Sequence, residues 1–384
     1  MAFSFGEITR KISAAFGGAS EGSFLGIDIG TSSAKIVQLR AAHGAAILET
    51  YGEIALGPYG GQPVGKAVKL PPEKTAEAII DLMKEANVTA RTGGLSIPFS
   101  SSLITVLEFP KVDEGTLKRM VPIEARKYIP VPVSEVTLDW FPIPADTEEE
   151  KSAFDRVQPG PQKPRGQEVL LVAIHNDAVQ GFQTIAATAG IHIDFYEIEI
   201  FGAARSSLSH GIAPILVVDM GASTTKMYIV ERGIVRLTHL ISVGGQQMSE
   251  MLSRSMSWDF EKAERVKRER GLQDSSAYSV EENDRIKSAL LSTLTRLFSE
   301  VNRVLLSFGQ RYNKNVSRVV FTGGGASLPG LAVEAKASLN SEIVVADPFA
   351  RTEAPAFLAD VLSEIGPGFA VAVGIVLRKL KSTQ

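Results

Sequence analysis

The chain contains no cysteine. That excludes disulfide frameworks, thiolate nucleophiles, zinc–thiolate sites and iron–sulfur clusters, and it suits a reducing compartment. Histidine is sparse, and the five that occur (His43, His175, His192, His210 and His239) form no cluster. H-E-x-x-H is absent, and the one G-x-S-x-G match, Gly18-Ala19-Ser20-Glu21-Gly22, lies in the hinge-like Gly/Ser stretch rather than after a buried strand, so zinc-hydrolase and serine-hydrolase sites have no support. An excess of one charge sign is also missing. Forty Lys and Arg stand against 43 Asp and Glu, leaving a net charge of −3 and a pI near 6.1. This balance supplies no basic surface for nucleic acid. Apolar runs such as Gly368 to Leu377 fall short of the ~18 residues that span a bilayer. Glu7, Arg10 and Lys11 interrupt the N-terminus, so no signal-peptide core is expected there. The default compartment is the cytoplasm.

What is present is a globular composition, 44% hydrophobic and 22% charged over 384 residues, which is too long for one typical core. Two short segments in it are near-copies. Asp28-Ile29-Gly30-Thr31-Ser32-Ser33-Ala34-Lys35 and Asp219-Met220-Gly221-Ala222-Ser223-Thr224-Thr225-Lys226 both read D-x-G-x-S-[ST]-x-K. Each follows an apolar run and leads into an alternating one, so each reads as strand, small-polar turn, strand. Glycine lets such a turn aim backbone N–H groups at an anion, and the hydroxyls add donors. An Asp at the strand end suits Mg²⁺, which keeps its waters and takes one or two carboxylates. One copy alone reads as an ordinary hairpin; two in matched settings predict a phosphate clamp.

Residues 1–23 stand apart. Phe5, Ile8, Ile12, Ala15 and Phe16 recur at helical spacing, which leaves open an amphipathic helix or a frayed tail. Strands are predicted over 24–29, 35–40 and 46–54, then a Gly/Pro-rich loop from Gly57 to Pro72, a helix over 73–85 and a strand over 94–98. Residues 96–191 read as a separate module. It has strands at 102–109, 136–141 and 168–174 and helices at 113–128 and 177–189, with a kink or break expected at Pro122. The polar, proline-rich stretch 145–167 reads as a mobile loop between strands. The second half repeats the three-strand opening (214–219, 226–231, 234–241). Helices follow from Gly244-Gly245, over 258–270 and over 285–312, then a strand over 318–321. That strand runs into Phe321-Thr322-Gly323-Gly324-Gly325-Ala326-Ser327, where backbone can approach a ligand closely. A helix from Gly366 to Lys381 ends the chain. Gly60 to Ala67 approaches the P-loop pattern, but Ala67 replaces its metal-binding hydroxyl and Pro71-Pro72 spoils the helix that should follow.

Two phosphate hairpins, a glycine loop and small-residue crossover helices together resemble the actin-like ATPase superfamily. The matching order is 28–35, then Glu199-Ile200-Phe201-Gly202-Ala203-Ala204-Arg205 as a first connecting helix, then 219–225, 321–327, and Gly366 to Gly374 as a second. The segment Ile123 to Trp140 is similar to the signature of the PilM family of type IV pilus assembly proteins, within an inserted FtsA-type subdomain.

The resemblance implies an α/β actin-like ATPase fold, with two similar domains around a nucleotide cleft. Domain I would comprise 24–95, 192–212 and 367–384. The insert would be 96–191, and domain II 213–366. ATP and Mg²⁺ are the implied cofactors. Asp28 and Asp219 would face the phosphates and hold the metal. Gly30, Thr31, Ser32, Ser33, Lys35, Gly221, Ser223, Thr224 and Thr225 would line the phosphates, and Glu264 and Lys267 would flank the adenosine with Gly323, Gly324 and Gly325. Glu199 would orient an attacking water, with an ordinary salt bridge as its alternative, and any hydrolysis would be slow. The implied partner is the N-terminal cytoplasmic peptide of PilN, docked on the insert, within an inner-membrane pilus assembly complex; self-association stays open. An FtsA-like division adaptor is one alternative, although that class carries a C-terminal amphipathic helix after a linker, where this sequence has Leu377-Arg378-Lys379-Leu380-Lys381 directly after the crossover helix. A metabolite kinase of the same superfamily is the other, but no motif supplies its Asp base.

Overall fold

β1 (Ser23–Ile29) is an almost unbroken apolar run, the pattern of a strand covered on both faces. β2 (Ser33–Ala42) returns antiparallel beside it with Lys35 opposite Asp28, and β3 (Ala45–Ala55) pairs outside β2. The computed structural model describes residues 22–42, 44–144, 166–209 and 211–382. The expected N-terminal amphipathic segment therefore lies outside the described residues, as does nearly all of the loop expected at 145–167. After helix α1 (Pro72–Glu85), β4 (Thr92–Ile97) joins β1 in parallel. An excursion follows through β5 (Ser102–Phe109), α2 (Glu114–Ala125), β6 (Val136–Pro142), β7 (Gln167–His175) and α3 (Asn176–Thr188). The chain then returns as β8 (His192–Ile198), parallel to β4. The resulting order is β3-β2-β1-β4-β8.

The second half repeats this plan. β9 (Ile215–Met220), β10 (Thr225–Glu231) and β11 (Ile234–Ile241) form the antiparallel meander; β12 (Arg318–Thr322) and β13 (Glu342–Val345) add in parallel, giving β11-β10-β9-β12-β13. Helices α5 (Gly245–Met256), α6 (Phe260–Arg270) and α7 (Val280–Tyr312) seal one face through Leu252, Val266, Leu290, Leu297 and Phe308. Helix α7 begins five residues before the predicted start because Ser279 and Glu282 form a reciprocal capping box. Between β12 and β13 lie a 3₁₀ turn (Gly324–Ser327) and α8 (Leu331–Ser338). At the same step the first half carries the three-stranded sheet β5-β7-β6 as well as α3, which packs Ile185 into the first core beside Ile79 and Leu82 of α1.

That additional sheet is sandwiched. One face packs α2, through Leu117, Val121 and Ala125, on Leu107, Leu171 and Ala173. The other face (Ile104, Val106, Leu170, Val172, Ile174) lies on Ile97, Ile198 and Ile200 of the first half and on Val217, Tyr228, Val230 and Val235 of the second. Helix α2 does not break at Pro122, as the sequence predicts; it runs through to Ala125 and ends there, short of the expected 128. A buried ion network pins the seam. Arg236 reaches Glu168 at 2.8 Å and Glu231 at 3.2 Å, and Lys314 reaches Glu231 at 2.6 Å. Removing one member strands the others in low dielectric. Arg236→Met is therefore expected to cost about 3 kcal/mol or more in urea-denaturation stability, and a loss under 1 kcal/mol would contradict this role.

Two crossover helices lie against the sheets. α4 (Glu199–Ser207) meets α10 (Ala370–Ser382), and a methyl group at Gly374 would lie 1.8 Å from the Gly202 carbonyl oxygen. On its other side α10 presses on β1, where a methyl at Gly26 would meet the Ala372 carbonyl at 2.0 Å. A short helix α9 (Ala359–Ile365) and a 3₁₀ turn (Gly366–Phe369) lead into α10. The helical run Ala356–Lys381 is long and apolar enough to cross a membrane by length and composition, which the shorter run read from the sequence is not. Its apolar window is 67% buried inside the protein, so core packing accounts for it.

Candidate functional site

The duplicated turns are built alike and face each other. Gly30 N–H donates to Ser33 O at 3.0 Å, and Gly221 N–H donates to Thr224 O at 3.0 Å. Each turn sits at the C-terminal end of its central strand, β1 or β9, the usual ligand edge of an α/β sheet. Their tips meet across the cleft, with Thr31 Oγ1 3.1 Å from Ser223 Oγ.

Below the tips lies an excess of negative charge. Asp28 accepts from Ser96 Oγ at 2.7 Å, and burial pushes its carboxyl above the ordinary range against the pull of Lys35. Asp219 is 4% exposed and bonds Lys226 Nζ at 3.0 Å. Lys226 also reaches Glu199 at 2.6 Å. Burial works against the Lys226 ammonium, but Asp219 and Glu199 outweigh it and hold its pKa well above the usual value. Burial raises Glu199 too, with the neighbouring Asp219 and Asp28 adding to the effect. Glu199 has no free oxygen, because its other one accepts the Phe99 N–H at 2.6 Å. Lys35 bonds Ser33 at 2.8 Å and Glu53 at 3.0 Å, so the second lysine of the cleft is also committed to a carboxylate.

These residues fit a hydrated divalent cation. Among the described residues no three His, Asp or Glu side chains converge as a metal cage. Two carboxylates at the strand ends are the donor set of an ion that keeps most of its water. The space beside them is kept open by glycine. Gly323 has φ +80°, and a methyl there would lie 2.3 Å from Asp219 Oδ1; any side chain would fill the cradle as well as strain the backbone. Gly323 N–H is held by Pro367 O at 2.8 Å, which ties the glycine loop to the approach of α10.

On the second side of the cleft, Glu264 and Lys267 lie on α6 and bond each other at 2.6 Å. Glu264 also accepts from Ser249 and Arg268, both at 2.5 Å, and Lys267 donates to Gly245 O at 3.0 Å. Lys267 and the other cations near Glu264 outweigh its burial and hold it below the usual carboxylate range. Thr225 is placed differently from the other hairpin residues. Its hydroxyl is buried and donates to Val243 O at 2.7 Å, fastening the turn from behind.

The sequence reading missed four participants. Ser96 and the Phe99 N–H carry no motif. Lys226 belongs to the repeat, yet only its twin Lys35 was expected at the phosphates. The fourth is the loop between β3 and α1, which forms a strap across the cleft. Val68 N–H bonds Thr31 O at 2.9 Å, Lys66 pairs with Glu250 at 2.7 Å, and Ala67 N–H bonds Gln246 Oε1 at 2.7 Å. At its centre Gly65 has φ +88°, and a methyl there would lie 2.5 Å from Glu264 Cδ. Beside the strap a cavity of about 360 Å³ is lined by Ala67, Ser223, Gln246, Glu250 and Arg254 among others. The near-P-loop letters in this loop make no P-loop, since no helix follows until Pro72.

Two sheets of one topology, with twin hairpins meeting at a carboxylate-lined cleft and crossover helices between, define an actin-like ATPase fold. Solved structures agree. The PilM–PilN type IV pilus biogenesis complex superposes with a TM-score of 0.74 at 24% identity, covering 94% of this chain and 99% of that one. The ethanolamine utilization protein EutJ from Carboxydothermus hydrogenoformans gives 0.53 at 16% identity, over 93% and 89%. The chain belongs to the family described as type IV pilus assembly protein PilM, whose sequence profile matches residues 26–380. It is also similar to the cell division protein FtsA of Enterococcus faecalis (strain ATCC 700802 / V583), 22% identical over 356 residues, covering 82% of this chain and 76% of that protein. That likeness is weaker, and the family match decides for pilus assembly over cell division.

Proposed function

We propose that this pilus assembly protein is a nucleotide-responsive scaffold, binding ATP with Mg²⁺ between its hairpins and docking the N-terminal cytoplasmic peptide of PilN on its inserted subdomain. The observation that carries the nucleotide reading is the pair of identically closed hairpins meeting over a carboxylate cluster, Asp28, Asp219 and Glu199, with Lys226 as the shared cation of the last two. Domain I is taken as 24–95, 192–212 and 367–384, the insert as 96–191 and domain II as 213–366. The protein works in the cytoplasm and is held at the inner membrane through its partners in the pilus assembly complex.

In this reading Asp28 and Asp219 hold the hydrated metal, which when bound offsets their charge and that of the phosphates. Gly30, Thr31, Ser32, Ser33 and Lys35 contact phosphate from one side, and Gly221, Ser223 and Thr224 from the other, with Thr225 steadying the turn. Gly323, Gly324 and Gly325 leave room for the nucleoside, and Glu264 and Lys267 flank it. The hydroxyls of Thr31 and Ser223 must separate to admit phosphate, so binding opens the tips. Glu199 orients water only when released from Lys226, so any hydrolysis is expected to be slow. A scaffold needs only differential affinity between nucleotide states.

The strap yields one expectation. Gly65→Ala pushes against Glu264, so ATP affinity measured by calorimetry is expected to fall about tenfold, with far-ultraviolet circular dichroism unchanged; unaltered affinity would remove the strap from the site. A fluorescently labelled peptide from the cytoplasmic N-terminus of the cognate PilN tests the partner. Saturable one-to-one binding is expected with ATP and Mg²⁺ present, and no association would contradict the docking role.

A further inference from the structure

Lys35 and Lys226 occupy the same place in the repeat, each opposite the Asp of its own hairpin in strand register. Their surroundings differ. Lys35 turns to Ser33 and Glu53, near the glycine loop; a methyl at Gly368 would touch its Cε at 3.5 Å and Gly324 Cα at 3.7 Å. Lys226 instead bridges Asp219 and Glu199, and the three side chains are only 12%, 5% and 12% exposed. Glu199 in turn holds the N–H of Phe99, and Phe99 opens the 3₁₀ turn that feeds β5, the first strand of the inserted sheet. Asp219, Lys226, Glu199 and Phe99 thus form one unbroken chain of charged hydrogen bonds from the second hairpin to the insert. Tyr228 lies two residues beyond Lys226 on the same face of β10. Its hydroxyl is buried near Asp219 and Glu199 and has no hydrogen-bond partner. A buried phenol without a partner is costly, so this corner of the cluster is incompletely satisfied.

We infer that Lys226 is a resident counter-ion of the metal carboxylate, and a positioning residue that transmits occupancy of the nucleotide site to the inserted sheet. A divalent cation at Asp219 repels the ammonium there, shifting Lys226 toward Glu199 and altering the hold of Glu199 on the Phe99 N–H. This rests on the nucleotide reading above, and the test separates the two. A lysine that binds phosphate and one that competes with the metal have opposite signatures. Calorimetry with MgATP on the full chain is expected to show Lys35→Met weakening binding at least tenfold and Lys226→Met tightening it severalfold. In parallel, hydrogen exchange of the segment spanning Phe99 to Phe109 is expected to change severalfold when MgATP binds the unaltered protein. That change should disappear in Lys226→Met and return in Lys226→Arg. Glu199→Gln, which keeps the shape and an acceptor for Phe99, should also lose it and serves if Lys226→Met fails to fold. Absence of MgATP binding to the unaltered chain would overturn both readings. Binding with no exchange response, a response that survives in the folded variants, or unchanged or weakened MgATP binding in Lys226→Met would overturn the relay alone.

Discussion

Asp28→Asn is expected to abolish most Mg²⁺-dependent ATP affinity while making the protein more stable, and Asp219→Asn to lose the same affinity while making it less stable. The shared loss follows from the metal reading. Each carboxylate supplies half of a two-residue donor set acting through water, and removing such a partner costs on the order of 10- to 100-fold in affinity. The opposite stabilities follow from the surroundings. Burial raises the Asp28 pKa more than Lys35, Ser96 and Lys226 lower it. A carboxyl with a raised folded-state pKa contributes stability below its unfolded pKa and loses it as pH rises through the folded value. Above that folded value the contribution is gone, and Asn, still able to accept from Ser96, removes the penalty. A melting temperature higher by roughly 1–3 °C is expected. Asp219 instead carries an ion pair with a nearly buried Lys226, and its neutralisation leaves that ammonium with one partner. Its melting temperature should fall. The same logic sets the pH dependence of MgATP affinity: it falls as pH drops toward the raised Asp28 pKa, because the metal needs the ionised carboxylate. Differential scanning calorimetry and isothermal titration of the two variants check both signs. Equal stability changes would contradict the assignment of uncompensated charge to Asp28.

The second large effect is structural. Gly374→Ala should destabilise the protein by about 3 kcal/mol or more, since its methyl would lie 1.8 Å from Gly202 O where two helices cross. No side-chain rotation relieves a clash with backbone, so α10 must move off α4, and β1 with it. Gly181→Ala is the control. It sits inside α3 with nothing within 4 Å of its added methyl, and the change should stabilise by about 0.5–1 kcal/mol. Chemical denaturation of both variants tests the pair, and a stable Gly374→Ala protein would mean that α10 packs otherwise than described.

What the sequence made legible was whatever is encoded locally. The twin D-x-G-x-S-[ST]-x-K turns, their flanking strands and the glycine loop were readable because each depends on residues a few positions apart. β8 was not, because Tyr196 and Glu197 interrupt its apolar pattern, and Glu197 is offset by Arg205 of the following helix α4 and by Arg378 of the distant α10. β13 has only four residues, too few for any periodicity. The strap was read as a loop, which it is; its meaning lies in contacts from Lys66 and Ala67 to Glu250 and Gln246 in the other half of the chain. The difference between Lys35 and Lys226 is invisible in the repeat, where the letter is the same. It arises because β3 brings Glu53 to one lysine and α4 brings Glu199 to the other. At Pro122, of the kink or break expected there, the break does not occur. The rule that proline breaks helices is local, but α2 is held on the inserted sheet by Leu117, Val121 and Ala125 on either side of it.

The central claim is that the paired hairpins clamp a magnesium-bound nucleotide. Equilibrium titration of the intact chain with ATP, with Mg²⁺ and with chelator, tests it most directly. Saturable binding at one site per chain, weakened strongly by chelator, is the predicted result. No saturable binding at millimolar ATP with Mg²⁺ present, or binding indifferent to the metal, would contradict it.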